Sequence, residues 1–415
     1  MRTEVYLWDQ RVGLLADDAG VPGIAFQFDP AWLATGCPVS PLQMTWDPEV
    51  QWNRESRPFS GLFGVFADSL PDSWGQMLMD ERFRRAGMNP ETVGVLERLC
   101  YVGRRGWGAL TYGPDQSDTD MQKLEQMDLV EAERSARAAV EGHMGDILPE
   151  VIESGASTGG ARPKQRIAIA PDDPERVWYG KTLPPPGYEP WILKIETDPL
   201  RQYGPVEKAY YLLAESVGMD VPESRLVSAG PDAVRHFAVK RFDWLPSERL
   251  HCHTLAGMLN RDSHAGNTDY EEFLRAVLRV TRDQRCVYEA FLRMVFNISF
   301  GVRDDHSKNH AFTMDKAGNW TLSPAYDVMF SRPGIGNGLY RQMPLRGKRE
   351  QIGRADLEPL ADTFGINRRE LDNILQAVHT AAITWESICA GLGIHEQRMI
   401  EIRDAWEFPL PDFTW

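Results

Sequence analysis

The chain has 415 residues, with 45 Lys and Arg against 60 Asp and Glu, a formal net charge of −15. With 42% hydrophobic and 25% charged residues it can bury a large core, which excludes wholesale disorder, and its length suits two to three domains. The acidic balance argues against a chain whose main task is gripping nucleic acid, since that needs a dense field of Lys and Arg against the phosphates. Cys37, Cys100, Cys252, Cys286 and Cys389 are odd in number and form no CxxC pair, so neither a disulfide framework nor a zinc site is expected and a reducing compartment is the simplest reading. The N-terminus, MRTEVYLWDQRVGLLADD, lacks the apolar stretch of a signal peptide, and no run of about 18 apolar residues occurs. The expectation is a cytoplasmic protein without a membrane span.

In chain order, TEVYLW, RVGLLAD and GIAFQF predict a small sheet, followed by a helix over SLPDSWGQMLMDERFRRAG, with Pro71 and Asp72 as start signals and Gly87 as stop. The polar stretch Gly113 to Asp120 is the best linker candidate and sets a boundary after residues 1–112. A helix of roughly Met121 to Glu141 follows, then the glycine-rich loop ESGASTGGARPK, strands at QRIAIA, RVWYG and PWILKIE, the helix VEKAYYLLAESVG, and strands at SRLVSA and HFAVKRFDW. This gives a second, α/β part over 121–247. From 248 to 415 the spacing is helical: EEFLRAVLRV, VYEAFLRMVFNISFG, ADLEPLADTFG, the long run RRELDNILQAVHTAAITWESICAGLG, and HEQRMIEIRDAW. The order glycine loop, lysine strand, helix, strands and helical lobe is that of a protein kinase, an α+β, bilobal fold.

Four clusters carry chemistry. In Arg303-Asp304-Asp305-His306-Ser307-Lys308-Asn309, the D-x-x-x-x-N spacing is that of a catalytic loop whose Asp orients a substrate hydroxyl and whose Asn holds magnesium. Eighteen residues after Asn309, past a β-like hairpin, comes Asp327 in SPAYDV, placed to add a second hard oxygen ligand. Lys194 lies in the apolar strand PWILKIE, where a charge is costly unless paired, so it is expected to face phosphate or carboxylate, with Glu207 in the next helix as partner; snorkelling at an exposed strand edge is the alternative. In Ser157-Thr158-Gly159-Gly160-Ala161-Arg162-Pro163-Lys164, paired glycines allow backbone N–H groups close to phosphate. His251, His253 and His264 lack metal-ligand spacing and read as structural or surface residues.

The segments GLFGVFADSLPDSWG, STGGARPK, WILKIE, VEKAYYLLAESVGMDVPES, VKRFDW, RDDHSKN and PAYDV together resemble the HipA family of bacterial toxin serine/threonine kinases, over nearly the whole chain. The resemblance implies an N-terminal subdomain, a mixed α/β kinase N-lobe and a mainly helical C-lobe that use ATP and Mg²⁺. It makes Asp304 the catalytic Asp, Asn309 and Asp327 the magnesium ligands, and Lys194 the lysine that steadies the phosphates. Lys240 to Phe242 become the adenine-binding hinge, and Ser157, Thr158, Gly159, Gly160, Lys164, His306 and Lys308 join the ATP site. Ser157 takes the place of a regulatory autophosphorylated serine, and phosphate there would rearrange a loop bearing Arg162 and Lys164. Because adjacent Asp304 and Asp305 cannot both point inward, the spacing to Asn309 selects Asp304 as base.

The implied partners are a helix-turn-helix antitoxin of HipB type, through which alone DNA is met, and a protein substrate such as an aminoacyl-tRNA synthetase or other translation factor. Two other functions share these residues or this partner: a small-molecule phosphotransferase of kinase-like fold, and a catalytically silent regulator acting with a DNA-binding protein. After Asp327, six basic residues (Arg332, Arg341, Arg346, Lys348, Arg349, Arg354) stand against Glu350 alone. Their position suggests a docking face for substrate, and a solvated basic face is the equal alternative.

Overall fold

The alternating segments at the start of the chain form strands. The computed structural model describes residues 1–18, 20–116, 129–155, 162–178, 186–228, 234–263, 266–332 and 340–407. In it, β1 (Arg2–Leu7), β2 (Gln10–Asp18), β3 (Val21–Phe28), β4 (Gln51–Asn53) and β5 (Leu110–Gly113) make an antiparallel sheet in the order β4-β3-β2-β1-β5. Period-two alternation turns Val5, Leu7, Leu15 and Phe26 into one core. The helix Ser73–Arg85 forms where its start and stop signals predict, and a second helix, Val95–Val102, buries Leu96 and Leu99 in the same core without having been expected.

The second sheet joins β6 (Lys164–Ala170), β7 (Asp173–Trp178), β8 (Glu189–Lys194), β9 (Ser224–Val227) and β10 (His236–Lys240) in the order β7-β6-β8-β10-β9. Its outer face, with Ile167, Ile169, Trp191 and Leu193, packs on Trp74, Leu78 and Phe83 of the Ser73–Arg85 helix and on the helices Leu129–Val140 and Pro149–Gly155. A helix from the first domain therefore covers the sheet of the second. The register sets Lys164 opposite Lys194 and Lys194 opposite Phe237, so all three share the other face. Of the helix expected over Met121 to Glu141, only Leu129–Val140 falls within the described residues.

The remainder is mainly helical, as expected, around Phe291, Val295, Phe296 and Ile298 of the helix Gln284–Ser299. The long run from Arg368 is two helices, Arg368–Ile383 and Trp385–Gly391. At the break Thr384 donates its hydroxyl to the Ala381 carbonyl at 2.7 Å, and Trp385 turns into the core beside Tyr210 and Trp406. Apolar spacing continues across the break, so periodicity alone misses it. A third sheet orders β11 (His251–Thr254), β12 (Ala311–Met314) and β13 (Trp320–Leu322), of which the β12–β13 hairpin follows from the sequence and β11 does not. No described helix is long and apolar enough to cross a membrane, and all five cysteines are free.

The N-terminal domain is strapped across both lobes. Gly64 packs so closely on Gly257 that a Cβ would lie 2.2 Å from its carbonyl oxygen. Asp68 accepts hydrogen bonds from Thr254 N, Thr254 Oγ1 and His253 Nδ1, each 2.7 Å, and His253 Nε2 meets Ser40 Oγ at 3.0 Å. His251 joins the same seam through the Val39 carbonyl at 2.8 Å. These bonds satisfy polar groups of a fully buried strand.

Burial holds His236 and His251 at about 4, against an ordinary 6.5, with Glu133 and the Val39 carbonyl only partly opposing it. Between those two values the unfolded chain binds protons that the folded chain does not, so stability present above pH 6.5 is lost as pH falls. The loss is on the order of 2 kcal/mol per histidine at pH 5. Urea unfolding at stepped pH measures it; His251→Gln should flatten the slope, and a curve level from pH 7 to 4.5 would contradict the burial of neutral imidazoles.

Candidate active site

A lysine at the end of a strand organises the cleft between the lobes. Lys194, on the inner face of β8, donates to Glu207 Oε1 at 2.5 Å and pairs also with Asp327 Oδ1. Glu207 lies in the buried first half of the helix Tyr203–Ser216, and Asp327 sits on the far lobe with φ +55, a left-handed conformation that Asp tolerates. Burial alone would push Asp327 up, but the ammonium of Lys194, with Lys164 behind it, holds its carboxyl well below the usual range. Burial raises Glu207 despite Lys194, and it lowers Lys164. Lys194 itself is held above its ordinary value, because the two carboxylates outweigh its desolvation. The Lys164 ammonium makes no hydrogen bond or ion pair among the described residues and lies buried beside this trio.

Opposite stands the loop after the Gln284–Ser299 helix. Asp304 is exposed, with its N–H on Ser331 Oγ at 3.3 Å, and Asn309 Nδ2 donates to the Asp304 carbonyl at 2.8 Å. That bond uses the amide nitrogen, which leaves Asn309 Oδ1 as the atom to meet a cation. Asp305 turns inward: Tyr270 OH donates to it at 2.5 Å, Gln342 N at 2.8 Å and Met343 N at 3.3 Å, with the Arg341 guanidinium 3.6 Å away. Burial raises its carboxyl above the ordinary value. One of the two acids is thus a buried strut and the other faces solvent. His306 is half-buried before the turn Ser307–Asn309, and the Lys308 carbonyl accepts from Tyr326 OH at 2.6 Å.

Two hard oxygen donors, Asn309 Oδ1 and the Asp327 carboxylate, suit Mg²⁺, which takes one or two protein oxygens and completes its shell with phosphates and water. Among the described residues, no three His, Cys, Asp or Glu side chains converge as a metal-holding group. Behind Lys194, a cavity of about 210 Å³ is lined by Arg162, Glu196, Tyr203, Glu207 and Phe237. Ser157, Thr158, Gly159 and Gly160 lie outside the described residues, as does His264; Arg162 is seen, its guanidinium 3.9 Å over the Tyr203 ring.

At the hinge, Lys240 N and Arg241 N already donate to Glu223 O and Pro190 O, while Lys240 Nζ pairs with Glu189 at 2.6 Å. An adenine would therefore meet carbonyls of this stretch or the Phe242 N–H. Phe242 and Tyr326 stand 5.6 Å apart, and Trp107 of the N-terminal domain closes the cluster at 6.1 Å from each. Trp107 was not among the expected site residues; its only signal in the sequence is the glycine-flanked GRRGWGAL, where Gly108 at φ +71 lets the loop approach Cys252. Asp72, expected only as a helix start signal, also reaches the site, where it pairs with Lys308.

The basic segment after Asp327 is not the free cationic face it was expected to be. Arg332 pairs with Glu401, Arg346 with Glu271, Lys348 with Asp356 and Arg354 with Glu358, while Arg341 faces Asp305 and Arg349 donates to Gln342 O. Acids distant in sequence neutralise what is locally in excess.

The two adjacent acids differ in a measurable way. Asp305→Ala leaves Arg341 buried without its countercharge and should lower stability by about 3–5 kcal/mol, whereas Asp304→Ala should change it by no more than about 0.5 kcal/mol. Chemical denaturation of both variants decides this, and equal losses would refute the assignment.

Two curated relatives, each provisionally named a kinase, are 28% identical: Y4dM of Sinorhizobium fredii over 267 residues (60% of this chain, 58% of the relative) and a Haemophilus influenzae protein over 214 residues (48% and 60%). The chain spans about three fifths of the length of these relatives. The HipA chain in the Shewanella oneidensis complex of HipA, HipB and operator DNA superposes with a TM-score of 0.67 over 97% of this chain and 96% of that one, at 16% identity, which establishes the bilobal kinase-like fold. The model of the HipA N-terminal domain matches residues 3–113 and that of the HipA-like C-terminal domain residues 156–385, and on this ground the chain belongs to the HipA family.

Proposed function

We propose that the chain is an ATP- and Mg²⁺-dependent serine/threonine-protein kinase of the HipA toxin type. The observation that carries the reading is the Lys194–Glu207–Asp327 trio facing Asn309 and a solvent-open Asp304. Lys194, Lys164 and Lys308 are suited to grip the phosphates, and Trp107, Phe242 and Tyr326 to wall the adenine. Mg²⁺ on Asn309 and Asp327 would neutralise charge on the phosphates. The Asp304 carboxylate orients the substrate hydroxyl and accepts its proton as the oxygen bonds to the γ-phosphorus and the bond to the β-phosphate oxygen breaks, releasing ADP. Its exposure suits a hydroxyl carried on a protein.

In this reading Ser157 is the regulatory autophosphorylation site, the remaining target is a protein of the translation machinery, and a HipB-type antitoxin is the partner that meets DNA. The support for the partner is the likeness to a HipA solved with HipB and operator DNA. Intact-mass spectrometry after incubation with ATP and Mg²⁺ tests the chemistry. Wild type should gain a phosphate mapping to Ser157, Asp304→Ala should gain none, and Lys194→Met should slow the reaction by at least about a hundredfold. Wild-type protein that starts unmodified, binds ATP and stays unmodified would overturn self-phosphorylation and turn attention to a small-molecule acceptor or a silent regulator.

A further inference from the structure

The N-terminal domain reaches the phosphate end of the cleft with one carboxylate. Asp72 occupies the N-cap position of the helix Ser73–Arg85 but makes no side-chain capping hydrogen bond there. An Asp there ordinarily caps the first turn, so turning away forgoes a local stabilisation. Its Oδ1 pairs instead with Lys308 Nζ, across 236 residues of sequence, with the two side chains 29% and 23% exposed. Two residues on, Trp74 Nε1 donates to the Lys164 carbonyl at 3.0 Å, so the start of this helix touches both the strand that carries Lys164 and the loop that carries Lys308. The Asp72 carboxylate is also among the charges that support the buried Lys164 ammonium.

Lys308 directly precedes Asn309 and lies in the loop headed by Asp304. A lysine there has one strong use for an anion, and Asp72 already supplies one. We propose that Asp72 is a positioning residue of the phosphoryl-transfer site: it holds Lys308 in place and competes with the phosphate oxygens of ATP for its ammonium, so that nucleotide binding and the grip of the N-terminal domain on the catalytic loop oppose each other. This rests on the kinase reading above. The competition has a sign that a merely structural contact lacks. Removing a structural ion pair weakens or leaves ligand binding, whereas removing a competing anion strengthens it, and only for ligands that bear phosphate.

Calorimetric titration with the β,γ-imido analogue of ATP in Mg²⁺, and with adenosine, tests this on the full chain. Asp72→Asn should bind the analogue about fivefold more tightly than wild type and adenosine equally, and Asp72→Glu should restore wild-type affinity. Lys308→Met added to Asp72→Asn should abolish the gain. Asp72→Ser, which restores a cap to the helix and cannot pair with Lys308, carries the same expectation should the Asn variant fold poorly. Analogue binding that is equal or weaker in a folded Asp72→Asn or Asp72→Ser variant overturns the inference and leaves the kinase reading standing. Wild-type protein that binds adenosine and the analogue not at all overturns the kinase reading itself.

Discussion

An ammonium group removed from water must find anions, and Lys194 finds two that belong to different parts of the molecule. Glu207 comes from the helix packed on the second sheet and Asp327 from the opposite lobe. A buried charge left without its partner costs several kcal/mol, so the strand, the helix and the loop around Asp327 are fixed relative to one another by a shared electrostatic need. The cleft geometry follows: with Asp327 held there, the hairpin β12–β13 sets the distance back to Asn309 and Asp304.

The second constraint is the seam made by the N-terminal domain. Arg241, in the expected hinge, and Asp243, just after it, form a buried pair at 2.5 Å, and Asp243 also accepts from Gly108 N at 2.9 Å, while Arg241 and Arg249 both donate to the Gly106 carbonyl. The loop bearing Trp107 is thereby tied to the hinge it overlies. With Asp68 bound to β11 and Trp74 bound to β6, the domain contacts hinge, upper sheet and lower lobe together. It is a wall of the site as well as a cover over the sheet.

The legible part of this was local chemistry in an unusual setting. Lys194 stood out because an apolar strand does not accept a charge without a reason, and Glu207 followed as the nearest acid on the next helix. Asp304 was separable from Asp305 by spacing, and burial gives the adjacent residue a different task. What could not be read were the long-range pairings. Nothing near Asp72 signals Lys308, and β11 reads as polar because its partners, Asp68, Ser40 and Val39, lie about two hundred positions away. The basic segment misled for the same reason: Glu271, Asp356, Glu358 and Glu401 neutralise it only in the folded chain.

An acidic chain can still build a site suited to a polyanion by setting its lysines against its own carboxylates. Lys164, Lys194 and Lys308 face Asp72, Glu207 and Asp327, so carboxylates offset these ammonium groups and allow them to be partly buried. The lysines are not arrayed as an open positive patch, which would draw any anion. Each of two is committed to a carboxylate, and an anion gains them only by exchange. Such exchange rewards a ligand that brings several correctly spaced oxygens together with a cation able to take the displaced carboxylates, and a triphosphate with a divalent metal meets both conditions. Lys164, whose ammonium has no pairing of its own among the described residues, is the lysine a phosphate could engage without displacing one of these carboxylates.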